Sequence, residues 1–126
     1  MNIPSDLKYT EGHEWIRVEG NVGYVGITDH AQHELGDIVY VELPEIDTEI
    51  ESKEEATNIE SVKAAAPVYS PVSGKIVKIN EDLEDSSELL NTDAYGAYIF
   101  AVEMTDKSEI DSLMDAAAYE EFLEKE

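Results

Sequence analysis

Short runs rich in Val, Ile and Tyr recur along the chain between turn-forming residues. They occupy residues 22 to 27, 38 to 43, 74 to 79 and 98 to 102, and each predicts a β-strand. Turn chemistry separates the runs, as at Gly20-Asn21 and Ser73-Gly74. Because this spacing leaves no room for crossover helices, the pattern favours antiparallel pairing.

Two segments depart from the strand pattern. In residues 28 to 35, Thr28 or Asp29 is a candidate cap for a short helix that Gly36 ends. In a segment of about residues 107 to 125, apolar side chains recur at roughly helical spacing, and Asp115 is a candidate cap. These apolar positions are Ile110, Leu113, Met114, Ala117, Phe122 and Leu123. The prediction is an all-β body with short C-terminal helices.

The length of the chain limits its organisation. Its 126 residues can build one hydrophobic core but not two, so residues 1 to 126 are predicted to form a single domain. An apolar content of 42% is ordinary for a folded chain. No run is long enough to span a membrane, and the first residues lack a targeting pattern. We therefore expect a cytoplasmic protein that acts as a monomer.

The chain is strongly acidic, with 30 acidic residues, 8 basic residues and a net charge of -22. This field repels nucleic acid and anionic membranes, so neither is expected as a partner. It favours partners with basic faces, although adaptation to salt would explain the charge equally well. The absence of cysteine excludes disulfides and thiolate chemistry. Any redox activity must therefore come from an added group.

One window contrasts with this acidity, because residues 61 to 80 contain neither Asp nor Glu. A buried hairpin explains its apolar positions but not Lys63, which lies between Val62 and Ala64. A lysine cannot stay buried and charged without a partner, so a turn is its favourable position. Lys63 is thus predicted at an exposed hairpin tip, where it is either an ordinary surface lysine or a site of acylation.

Several motifs in and around this window resemble the H protein of the glycine cleavage system. They include Ile-Glu-Ser-Val-Lys-Ala at 59 to 64 and Tyr-Ser-Pro-Val-Ser-Gly-Lys-Ile-Val at 69 to 77. His-Glu-Trp at 13 to 15, Leu-Gly-Asp-Ile-Val-Tyr-Val-Glu-Leu-Pro at 35 to 44 and Glu-Leu-Leu-Asn at 88 to 91 follow the family's order. The resemblance covers nearly the whole chain.

The resemblance implies a lipoyl-domain fold, a flattened barrel or sandwich of two antiparallel sheets. It implies lipoic acid bound covalently to Lys63 and a carrier that is not itself an enzyme. The implied partners are glycine decarboxylase, which is a pyridoxal-phosphate enzyme, aminomethyltransferase, dihydrolipoamide dehydrogenase and a lipoylating enzyme. The first loads an aminomethyl group on the arm, the second passes its carbon to tetrahydrofolate, and the third reoxidises the dithiol.

The resemblance also assigns roles near the arm. His13 and Glu14 are expected to line a sheltering cleft, where Glu14 could hold a cationic amine. Glu60 is expected to assist the lipoylating enzyme. The chain departs from the family at Pro67, where several relatives carry an acid near the cleft. That departure leaves open a role as a relay that donates lipoyl groups to other enzymes.

Functions other than a lipoyl carrier account for some of these sequence features. Biotin carriers share the tip lysine but place methionine on both of its sides, unlike Val62 and Ala64. An acidic interaction module without cofactor remains open and predicts an unmodified Lys63. His30 and His33 have a spacing compatible with metal ligands, but a helix surface explains them, and no metal site is predicted.

Overall fold

A computed structural model describes residues 2–126 of the chain. The strands in this range are β1 (Lys8–Tyr9), β2 (Glu14–Glu19), β3 (Val22–Ile27), β4 (Ile38–Glu42), β5 (Glu49–Ile50), β6 (Glu55–Ser61), β7 (Ala65–Tyr69), β8 (Gly74–Ile79) and β9 (Phe100–Met104). The α-helices are α1 (Asp29–Leu35), α2 (Asp82–Asp85), α3 (Leu89–Thr92) and α4 (Ala116–Lys125), and a 3₁₀ helix spans Lys107–Ser112. No helix among these is long and apolar enough to cross a membrane.

The strands form two sheets in which all neighbouring strands are antiparallel. One sheet has the order β1-β2-β3-β9-β8-β5, and the other has the order β4-β6-β7. The predicted all-β class with two antiparallel sheets is confirmed. Of the two forms expected, the flattened sandwich is the one observed, since the described strands do not close into a barrel.

The main hydrophobic core joins the two sheets. The larger sheet contributes fully buried side chains such as Val25, Ile76 and Phe100, and the smaller sheet contributes Ile59 and Val68. Successive strand residues point to opposite faces, so each strand supplies this core with alternate side chains. Their removal from water is the main stabilising contribution to the fold.

A second apolar cluster packs α4 against β1 and β2. Its fully buried members include Trp15, Tyr9 and Tyr119, and the rings of the two tyrosines stack at 4.6 Å. The indole Nε1 of Trp15 donates to the carbonyl of Ala94 at 3.0 Å. The indole also lies against Gly26, where an added Cβ would come within 2.6 Å of the ring. These contacts of the buried Trp15 indole therefore anchor β2, which carries residues of the candidate site.

The predicted strands agree with the observed strands to different degrees. Residues 22 to 27 and 74 to 79 match β3 and β8, and β4 ends one residue before the predicted boundary. The strand predicted at 98 to 102 is shifted, since β9 spans Phe100–Met104. The pattern does not predict β2, β6 and β7, because β2 begins with three consecutive buried residues, β6 consists mostly of polar residues, and β7 contains alanines and a proline.

The helix between β3 and β4 begins and ends as the sequence predicts. The Thr28 side chain accepts a hydrogen bond from the Ala31 amide, which caps the first turn. Gly36 ends the helix with a φ of 75°, in the left-handed region that glycine adopts without strain. The chain then turns directly into β4.

The C-terminal segment is more divided than the apolar spacing suggests. Lys107–Ser112 is a 3₁₀ helix, and Met114 instead forms a β-bridge with Tyr9. Asp115 then caps α4 by accepting from the Ala118 amide at 2.8 Å. The exposed Ala117 does not anchor this helix, whereas Tyr119, absent from the predicted apolar positions, is fully buried.

The turn between β5 and β6 contains a residue other than glycine with a positive φ. Lys53 has a φ of 72° in that turn, a conformation that glycine adopts more readily. Its amide donates to the Ser70 carbonyl at 2.7 Å. The turn thus keeps a left-handed residue although the sequence supplies a lysine.

The Asn91 side chain ties together the start of β4 and the end of α1. Its Oδ1 accepts from the Ile38 amide at 2.9 Å, while its Nδ2 donates to the Gly36 carbonyl at 2.9 Å and to Oε1 of Gln32 at 3.0 Å. These bonds hold the turn between α1 and β4. Lys63, the predicted modification site, lies beside this turn. The hydrogen bonds of Asn91 replace backbone partners that the turn cannot provide.

We predict that Asn91→Ala lowers the free energy of unfolding by about 2 kcal/mol, because three hydrogen bonds are lost and an amide near the core loses its acceptor. Urea denaturation followed by circular dichroism measures this change. Asn91→Asp keeps the acceptor for the Ile38 amide but places a carboxylate oxygen against the Gly36 carbonyl and Gln32 Oε1, so it should not restore the stability of the parent. Equal stability of Asn91→Ala and the parent would contradict the tethering role.

Candidate functional site

Lys63 lies in the tight turn between β6 and β7. The Ser61 hydroxyl oxygen accepts from the Lys63 amide at 3.2 Å and from the Ala64 amide at 3.1 Å. The Val62 amide donates to the Asp37 carbonyl at 2.9 Å, which fixes the tip to the α1–β4 turn. Lys63 is exposed, and the neighbouring Val62 side chain is 66% exposed. The structure therefore has Lys63 at an ordered and accessible hairpin tip, as the sequence predicts.

The aliphatic stem of Lys63 lies over Gly36 at the end of α1. A Cβ added at Gly36 would come within 3.1 Å of the Lys63 Cε, so a larger residue would displace the stem. Among residues 2–126, no carboxylate forms a salt bridge with the Lys63 ammonium. The ammonium is thus without an ion pair among the described residues, while the lysine stem packs against Gly36.

An open cleft of about 380 Å³ runs between α1 and the smaller sheet. Leu35, which precedes Gly36 in the sequence, lies at one part of its wall, and Glu14 lies at another. The full lining consists of Gly12, His13, Glu14, Ile27, His30, Ala31, Glu34, Leu35, Ile59, Ala66, Pro67, Val68 and Glu126. Apolar side chains alternate there with a few ionisable groups, which is the usual character of a ligand site.

Glu14 is the most buried ionisable residue of this lining, with 3% of its surface exposed. Its carboxylate accepts a hydrogen bond from the Thr10 hydroxyl and another, at 3.2 Å, from the Tyr69 amide. Burial raises the pKa of Glu14 above its ordinary value, and the two hydrogen bonds partly oppose that rise. A negative charge here would bind a cationic group strongly, because little water screens it.

His13 forms a second polar group at the rim of the cleft. Its Nδ1 lies 2.8 Å from the Tyr119 hydroxyl, which lies 2.8 Å from the Thr28 hydroxyl. Its Nε2 lies 3.1 Å from a carboxylate oxygen of Glu126. Burial lowers the pKa of His13, whereas the Glu126 carboxylate raises it. The imidazole is consequently held in one orientation from two sides.

The remaining predicted residues lie at different distances from this cleft. Glu60 is exposed on β6, paired with Ala65 and outside the lining. Pro67 belongs to the lining. His33 is exposed on α1, whereas His30 lines the cleft, so the structure does not bring these two histidines to one site.

Glu34 and Glu126 were not among the predicted site residues. Glu34 follows His30 by one helical turn, a spacing that is visible in the sequence. Glu126 reaches the cleft only because Tyr119 packs α4 against β1. In a chain with 30 acidic residues, no local signal distinguishes this carboxylate from the others.

The known proteins that this chain resembles match it along nearly its whole length. A family model described as Glycine cleavage H-protein matches residues 7–126. The glycine cleavage system H protein of Syntrophomonas wolfei is 55% identical over 126 residues, which cover 100% of this chain and 97% of the relative. The protein of the same name from Thermoanaerobacter is 47% identical over 126 residues, with 100% of both chains covered.

A solved structure gives the same result for the fold. The glycine cleavage system H protein of Mycobacterium marinum matches with a TM-score of 0.86 and 33% sequence identity, and the match covers 98% of each chain. The sandwich and its C-terminal helix are therefore shared with a protein whose structure has been determined by crystallography.

The raised pKa of Glu14 predicts how this residue affects stability as pH changes. The folded chain holds the proton more tightly than the unfolded chain, so the contribution of Glu14 to the free energy of unfolding falls as pH rises above its ordinary pKa of 4.5. Glu14→Gln cannot ionise. We therefore predict that its stability relative to the parent increases as the pH rises above 4.5.

Urea denaturation of both proteins across this pH range measures the difference. Effects of the other acidic residues largely cancel, because they are common to the two chains. A stability difference that stays constant or decreases with pH would show that the Glu14 pKa is not raised in the folded chain.

Proposed function

The chain belongs to the glycine cleavage H-protein family, and from that premise we propose that it is a carrier whose lipoyl group is attached at Lys63. The observation that carries this proposal is the ordered, exposed tip described above. The Ser61 hydroxyl and the Asp37 carbonyl hold the tip backbone, while the Lys63 amine has no salt bridge among residues 2–126. A lipoylating enzyme would thus meet a preformed hairpin with its nucleophile free.

The residues around the tip fit a long acyl arm. Acylation removes the charge of Lys63, and the stem already packs against Gly36, which follows the cleft residue Leu35 in the sequence. The cleft offers apolar contacts from side chains such as Leu35, Ile59 and Val68. Glu60 lies three positions before the lysine, near the end of β6, and its side chain is exposed, so the lipoylating enzyme can contact it.

Lipoic acid, when bound, would supply a disulfide that accepts the aminomethyl group. The dithiol formed later would be oxidised back to the disulfide. The residues of this chain supply shelter and charge. Glu14 presents a buried carboxylate for a cationic amine, and the apolar wall limits access of water to it. His13 lies beside Glu14 in sequence and forms part of the same lining.

The proposed partners are those of the glycine cleavage system. Glycine decarboxylase loads the aminomethyl group, aminomethyltransferase removes its carbon, and dihydrolipoamide dehydrogenase restores the disulfide. These enzymes perform the chemistry, and the chain presents the arm to each in turn. A net charge of -22 favours encounter with basic faces on such partners, in a manner that weakens with salt.

A relay role, in which the chain donates lipoyl groups to other enzymes, would use the same lysine. Such a role needs no buried carboxylate for a cationic cargo. Burial of the Glu14 carboxylate costs free energy, and only two hydrogen bonds from other residues offset that cost. Binding of a cationic aminomethyl group explains the buried carboxylate more directly than a relay role does. We therefore place glycine cleavage first.

We predict that the chain produced in a lipoate-supplied host carries one lipoyl or octanoyl adduct, located on Lys63. Lys63→Arg should carry none and should remain folded, because an exposed tip contributes little burial. Lys75→Arg, which changes an exposed lysine on β8, should keep the adduct. Intact mass and peptide mapping give the result, with circular dichroism as the test of folding.

Two outcomes would overturn this assignment. An unmodified Lys63, beside normal lipoylation of host proteins, would favour an acidic interaction module without cofactor. An adduct on another lysine would move the arm away from the cleft. If Lys63 is modified, loading by glycine decarboxylase and glycine then separates the carrier role from the relay.

A further inference from the structure

Three potential metal ligands meet at the rim of the cleft, although they are far apart in the sequence. His13 precedes β2, His30 lies on α1, and Glu126 follows α4. The ligand atoms of these three side chains all lie within 4.8 Å of one another. The two imidazole rings have their centroids 4.5 Å apart. This group is separate from the hairpin tip and from the Glu14 carboxylate.

The spacing of these atoms approaches that of a tetrahedral metal centre. Zn²⁺ binds imidazole nitrogen and carboxylate oxygen at about 2.0 to 2.2 Å, which places neighbouring ligands about 3.3 Å apart. Here an oxygen of Glu126 lies 3.1 Å from Nε2 of His13, and its second oxygen lies 3.6 Å from Nε2 of His30. Small side-chain rotations would therefore complete the geometry.

The support around His13 also fits a metal ligand. Its Nδ1 is 2.8 Å from the Tyr119 hydroxyl, which continues to the Thr28 hydroxyl at 2.8 Å. A ligating histidine commonly donates its other N–H to such a partner, which fixes the ring and its tautomer. With Nδ1 engaged by Tyr119, Nε2 is the atom that faces His30 and Glu126.

We propose that His13, His30 and Glu126 bind a divalent transition-metal ion of the Zn²⁺ class. Nitrogen and oxygen ligands suit such an ion, and the chain has no cysteine that would bind it elsewhere. Glu34 has a carboxylate oxygen 3.7 Å from Nε2 of His30 and is positioned to supply a fourth ligand. The bound ion would link α1 to the end of α4 across the rim of the arm cleft.

An ordinary ion pair is the competing explanation for this cluster. Protonated imidazoles beside Glu126 would give similar distances without any metal. The two explanations differ in one respect: only the metal site requires both histidines and the carboxylate for binding of an added ion. The matched comparison is His33, which is exposed on the same helix and outside the cluster.

The experiment uses the full chain without lipoylation. Zn²⁺ is titrated by calorimetry, and Co²⁺ is titrated by visible absorption, in buffer with excess Mg²⁺ to occupy the acidic surface. We expect one ion per chain and the strong visible bands of tetrahedral Co²⁺. His30→Gln and Glu126→Gln should each weaken binding by about tenfold or more, and His33→Gln should leave it unchanged.

Specific results would overturn the site. Binding that is equally strong in His30→Gln and the parent would remove His30 as a ligand, and uptake that Mg²⁺ abolishes would be general attraction to the acidic surface. Circular dichroism of each variant shows whether the fold persists. Because the titration needs no lipoyl group, its failure leaves the assignment of Lys63 intact, and an unmodified Lys63 leaves the metal result intact.

Discussion

The buried Glu14 carboxylate connects the two sheets at the floor of the cleft. It belongs to β2 of the larger sheet and accepts from the Tyr69 amide at the end of β7 in the smaller sheet. The Thr10 hydroxyl occupies its other oxygen. A carboxylate with 3% exposure costs desolvation free energy, which these bonds offset only in part. The result is a carboxyl group held at a fixed position in the cleft, with burial raising its pKa.

The rest of the site follows from how β2 and α1 are held. Trp15 anchors β2 through the second cluster, and the same cluster fixes α4, so that Glu126 reaches the rim near His13. Asn91 holds the turn after α1, against which the Lys63 tip is bonded. Residues 61 to 80, which include the hairpin tip, contain neither Asp nor Glu, and Lys63 is exposed there.

The sequence predicted the parts of this molecule that depend on local signals. Alternation identified β3 and β8, capping chemistry identified the ends of α1, and the break in acidity identified Lys63. The buried strand β2 was missed because Trp15 and Ile16 are both buried, on opposite faces. Family resemblance, rather than pattern, directed attention to Glu14. Contacts such as His30 with Glu126 depend on helix packing over long sequence separations, and no local pattern encodes them.

The role proposed for the Glu14 carboxylate is to hold a cationic group on the arm. The lifetime of the aminomethyl group on the loaded chain measures this role. The group is loaded from isotope-labelled glycine, the partner enzyme is removed, and release of the labelled carbon is monitored over time. A charged hydrogen bond contributes about 1.5 to 3 kcal/mol, so Glu14→Gln should shorten this lifetime about tenfold or more. Glu103→Gln, on the exposed face of β9, should not change it. An unchanged lifetime in a folded, fully loaded Glu14→Gln chain would contradict this role of Glu14.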